Sequence, residues 1–62
     1  MKRRLLLKHL NKHGCEFFRE GKKHTVYINL KLRKISTIPR HTEIPNKLAR
    51  KICKDLGIPP PK

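Results

Sequence analysis

The stretch Gly21-Lys22-Lys23-His24-Thr25-Val26-Tyr27 sets one imidazole between a cationic turn and the start of an extended apolar segment. An imidazole titrates near neutral pH and can take or give a proton there, while two adjacent ammonium groups can hold a phosphate beside it. Base and phosphate grip together are the minimum equipment for cutting RNA without a metal. The imidazole removes a ribose 2′-hydroxyl proton, the freed oxygen attacks the adjacent phosphorus, and a cyclic phosphate is left. His24 is therefore the candidate general base, and Lys22 and Lys23 the candidate stabilisers of the extra negative charge on phosphorus. The same residues have a plainer reading, in which His24 is a solvated polar residue at a strand start and the lysines serve solubility.

His41, next to Arg40, is a second candidate, either as general acid or as a phosphate contact; its structural alternative is a loop histidine packed on the closing helix. Further phosphate contacts are expected from Lys2, Arg3, Arg4, Arg40, Lys47 and Lys51. The charge makes this expectation reasonable, because 17 Lys+Arg against 4 Asp+Glu give a formal +13. Such an imbalance repels itself in the compact state and favours polyanions, with nucleic acid first, an acidic protein second and an anionic membrane third. If the lysines bind RNA, affinity falls steeply with salt. His9 and His13 lie among lysines and read as solvated surface, and Tyr27 either stacks on a base or packs across strands. No metal or other cofactor is expected. Cys15 and Cys53 have no C-x-x-C spacing and fall at apolar positions, which suits small buried hydrophobes in a reduced cytoplasm better than a disulfide.

These groups must be positioned by one small domain. A chain of 62 residues buries only about 60% of its unfolded surface. From about Arg3 to His13, Leu6, Leu7 and Leu10 fall on one helical stripe that Gly14 ends. The basic triplet 2–4 stands at the positive end of that helix, where it costs stability. Residues 15–20 and 25–29, on either side of the Gly21-Lys22 turn, predict an antiparallel hairpin, with His24 at the start of its second strand. On the second strand His24, Val26 and Ile28 share one face, and Thr25, Tyr27 and Asn29 the other. Val26 and Ile28 argue that the first face is the buried one, so a strand-edge twist is needed to free His24. By alternation one of Phe17 and Phe18 should be core.

A third strand over residues 34–38 is ended by Pro39, and a loop leads to a closing helix over 47–56. Asn46 caps that helix or Pro45 occupies its first turn. Leu48, Ala49, Ile52, Cys53 and Leu56 make its apolar stripe, Gly57 stops it, and a proline-rich tail fills 59–62. The fold class is α+β, α-β-β-β-α, a three-stranded antiparallel sheet with two helices on one face, occupying residues 1–58. That layout matches double-stranded-RNA-binding domains, which read phosphates and 2′-hydroxyls more than sequence.

The chain also resembles a known family, the HicA-type toxins of prokaryotic toxin–antitoxin pairs, small mRNA interferases with a double-stranded-RNA-binding-domain-like fold. The likeness covers nearly the whole chain. It runs through the basic first helix, the Gly14 turn and apolar strand, Arg19, the histidine-bearing hairpin with Tyr27, and Ile38-Pro39-Arg40-His41. It continues through Glu43-Ile44, Ala49-Arg50-Lys51-Ile52 and Leu56-Gly57-Ile58. In that family the histidine at the start of the second strand is implicated in catalysis, and His24 matches it. Many members carry glycine and serine immediately before that histidine; here Lys22-Lys23 stand there, with Gly21 three positions upstream, a G-x-x-H variant. The resemblance implies translation inhibition by RNA cleavage and neutralisation by a cognate HicB-type antitoxin covering His24 or the basic surface.

Two other classes compete. A non-catalytic RNA- or DNA-binding module would show the same basic faces and bind without scission. A cationic membrane-active segment over residues 2–13 would make the hairpin and second helix superfluous. The opening apolar run stops at Lys8-His9, too short for a signal-peptide core or a span. A cytoplasmic protein without membrane contact is expected.

Overall fold

The computed structural model describes residues 1–61; Lys62, the last residue of the expected tail, lies outside them. The elements run α1 (Arg3–Lys12), β1 (Cys15–Glu20), β2 (His24–Asn29), β3 (Lys34–Pro39) and α2 (Asn46–Leu56). The three strands are antiparallel in the order β1-β2-β3, and both helices pack on one face, the predicted α-β-β-β-α arrangement.

Each helix contributes the stripe its spacing dictates. Leu6 and Leu10, one turn apart, are fully buried from α1, and Ala49, Ile52, Cys53 and Leu56 from α2. Leu7 and Leu48 flank that core and stay half-buried. At about 1.5–3 kcal/mol for each fully buried aliphatic side chain, this layer carries the fold. Gly14, at φ 85°, lets the chain leave α1. Gly57, at φ 73°, ends α2, with its own N–H donating to the Lys54 carbonyl and the Ile58 N–H to that of Cys53, each at 3.0 Å.

Neither expected start for α2 is the one adopted. Pro45 stands at the cap in an extended conformation with no side-chain cap bond, and Asn46 is already helical. The segment before α2 instead pairs with the segment before α1: Arg3 N–H donates to the Thr42 carbonyl and Ile44 N–H to that of Met1, both at 2.8 Å, around a Lys2–Glu43 bridge.

The strand faces correct two expectations. On β2 the helix-covered side is Thr25, Tyr27 and Asn29, all buried, so Val26 and Ile28 lie on the other face with His24, where Val26 is still buried and Ile28 half-buried. The two polar residues can face the core because they are satisfied there. Asn29 donates to the Leu56 carbonyl at 2.8 Å, and Thr25 shares its hydroxyl with Glu20 and Arg3. Phe17 and Phe18 are both about half exposed, at 54% and 50%, where one was expected inside. The cause is a bulge. Phe17 pairs with Tyr27 but Arg19 with Val26, which leaves Phe18 as the extra residue and reverses the parity of the strand beyond it. Phe17 stays on an edge strand, where its ring meets Tyr27 edge-on with centroids 6.5 Å apart.

Cys15 and Cys53 are buried and free, as expected, and burial pushes both thiols up.

Candidate functional site

Gly21 and His24 close a two-residue connection, Lys22-Lys23, with the Gly21 N–H donating to the His24 carbonyl at 2.7 Å. Two-residue hairpin loops that match the strand twist need positive φ in the loop. None occurs here, since Arg33, Gly14 and Gly57 are the positive-φ residues among those described. The turn is held from outside instead. Arg40, the first residue after β3, sends Nη2 to the Gly21 carbonyl at 2.6 Å and to Glu20 Oε1 at 3.1 Å, and Nη1 to the Lys22 carbonyl at 3.2 Å. Glu20 Oε1 also accepts from the Thr25 hydroxyl at 2.8 Å, and that hydroxyl accepts from Arg3 Nη2 at 3.0 Å. Arg3 Nε reaches the Pro39 carbonyl at 2.9 Å. Hydrogen bonds from Thr25 and Arg40 hold the Glu20 carboxyl below the usual carboxylate range.

This network surrounds the backbone of His24 and leaves its side chain outside. His24 pairs with Pro39 in the sheet, and its ring is exposed on the side away from the helices. The sheet register thus achieves what a strand-edge twist was invoked for. Lys22 and Lys23 are exposed and form no ion pair among the described residues. Arg19 joins them, since the bulge turns it to the side of Val26 and His24. Reading the sequence for alternation misses that Arg19 shares the His24 face, because only the extra residue at Phe18 turns it that way.

The other predicted residues are distributed as follows. His41 is exposed, two positions beyond the Pro39 that pairs with His24. Arg3 spends two of its side-chain N–H donors on the protein itself and Arg40 three. Lys2 pairs with Glu43 at 3.0 Å and Lys51 with Asp55 at 3.0 Å, both at the surface. Arg4 and Lys47 are exposed without an ion-pair partner among the described residues. Tyr27 is buried, which settles it as a packing residue. His9 is more engaged than a solvated residue, with its ring 4.5 Å from that of His13 and Nε2 2.8 Å from the Pro59 carbonyl. Shallow clefts beside His9 and beside Met1 do not include His24, which stands on an open ledge. A polymer lying across the surface can reach such a ledge.

Compared with known families, residues 3–58 match the model described as the HicA toxin of bacterial toxin–antitoxin systems. The chain belongs to the HicA toxin family. No curated protein and no solved structure gives a significant match. Membership gives this HicA protein a toxin role and implies an antitoxin as its partner. No helix among the described residues is long and apolar enough to cross a membrane.

Proposed function

We propose that this HicA toxin is a metal-independent endoribonuclease, an mRNA interferase that inhibits translation, with His24 as general base. The observation that carries the reading is the solvent-facing imidazole of His24, at the start of β2 beside a turn whose carbonyls Arg40 holds, next to two lysines with no ion-pair partner among the described residues. The imidazole takes the proton of a 2′-hydroxyl, the 2′-oxygen bonds to the adjacent phosphorus, and the 5′-oxygen leaves with a proton. His41 is the candidate donor of that last proton. Lys22, Lys23 and Arg19 face the phosphate whose charge grows during the attack.

More remote cations, Arg4 and Lys47 foremost, track the rest of the strand. Lys2 and Lys51 can join them, because exposed ion pairs contribute only about 0–1 kcal/mol and a phosphate competes readily for the ammonium. Arg3 and Arg40 keep their charge near the turn. A HicB-type antitoxin neutralises the toxin by covering His24 or this cationic surface.

The deciding experiment compares wild type with His24→Ala on purified RNA in the presence of chelator. A positioned base contributes about 10²- to 10⁴-fold, and a loss of that size with an unchanged melting curve is expected. Undiminished cleavage by the variant removes His24 from the mechanism. Tight RNA binding without scission by the wild type leaves a non-catalytic basic nucleic-acid-binding module.

A further inference from the structure

Arg40 was expected to grip phosphate, yet three of its N–H groups are committed to the hairpin turn that carries the base. We propose that Arg40 is a positioning residue, a buckle that fixes the His24 turn in a shape its own sequence does not favour; the inference rests on the nuclease reading above.

The argument starts from what the turn lacks. A two-residue connection without positive φ has the wrong twist for its strands and tends to splay them. A planar guanidinium is the side chain best shaped to oppose that, because its fork offers several donors in one rigid plane. Here it spans two successive carbonyls, Gly21 and Lys22, and the carboxylate of Glu20 on the strand before them. Glu20 is in turn fixed by Thr25, the residue after His24, so both neighbours of the Gly21–His24 pair are tied to one guanidinium. A methyl group on Gly21 would sit 3.1 Å from the His24 carbonyl, so the turn is tight on its inner side as well. Since the Arg40 bonds go to the turn, its effect on the reaction passes through the orientation of His24.

The test uses Arg40→Gln and Arg40→Lys on the full chain, with melting curves confirming the fold. Three readings separate positioning from phosphate binding: kcat against KM on an RNA oligonucleotide, the salt slope of RNA binding in a His24→Ala background, and amide exchange at Gly21. Positioning predicts that Arg40→Gln lowers kcat by about tenfold or more, leaves KM within about twofold and the salt slope unchanged, and speeds Gly21 exchange about tenfold. Arg40→Lys, with one ammonium in place of a fork, should recover only part of kcat. A raised KM and a salt slope lowered by about one, with kcat and Gly21 exchange untouched, is the signature of a phosphate contact and overturns the proposal. If His24→Ala cleaves as well as wild type, the assignment of His24 as the base falls, while Gly21 exchange still judges the buckle. Unaltered exchange in Arg40→Gln then overturns it.

Discussion

The two connections within the sheet are built on opposite plans. The β2–β3 connection, residues 30–33, supplies its own geometry: Arg33 takes a left-handed φ of 55° and the Asn29 side chain accepts from the Leu32 N–H at 3.4 Å. It is also anchored at its start, where Asn29 donates to the Leu56 carbonyl at the end of α2. Leu32 lies so close to Gly57 that an added methyl there would come within 2.6 Å of it. The β1–β2 connection has none of these devices and is held by the side chain of Arg40, 18 to 20 positions further along the chain. The lesson is that a turn supported from outside leaves its own positions free, and here they carry lysines and the imidazole.

Substitutions can break this contrast. The largest effect on stability is expected from Asn29→Ala, which strands the buried Leu56 carbonyl at a cost of about 1–3 kcal/mol. Denaturant unfolding should show that loss, with cleavage per folded molecule unchanged. Gly57→Ala forces a side chain into the left-handed region and against Leu32, for about 1–2 kcal/mol, read in the same assay. By contrast Lys22→Ala with Lys23→Ala should move stability by no more than about 0.5 kcal/mol while making RNA binding less salt-dependent, by a slope change of about 1.5 to 2. Equal destabilisation by the lysine pair and by Asn29→Ala would erase the distinction between the two connections.

Acid sharpens it. Glu20 is held below its ordinary carboxylate range, so its contribution is complete above the unfolded carboxyl pKa and is lost as pH falls through the lower, folded value. Gly21 exchange, corrected for intrinsic rates, should rise in that acid window while the Leu32 amide stays protected. The smallest effect is expected from Arg33→Gly, where relief of the left-handed backbone, partly offset by chain entropy, should stabilise by no more than about 1 kcal/mol.

Much of this architecture is legible in the sequence, for reasons that differ by element. Leucine spacing in α1 and the 49, 52, 53, 56 stripe of α2 announce the helices, because a helix buries only one side. The strands announce their existence but not their orientation. Thr25 and Asn29 read as polar and therefore outward, yet hydrogen bonds available only in the folded chain allow them inward, and Val26 and Ile28 take the face away from the helices, where Val26 is still buried. The bulge at Phe18 leaves no local signature, and with it the direction of Arg19 is hidden. His24 stands out by its chemistry, whereas the task of Arg40 depends on a strand register that brings residue 39 opposite residue 24.

That register has a consequence in time. Arg40 finds its acceptors 18 to 20 positions earlier in the chain, so the first hairpin, as it emerges from the ribosome, lacks the group that seats its histidine. Competence waits until the third strand has docked. On the proposed reading, a toxin assembled in this order has no seated base until the sheet is whole.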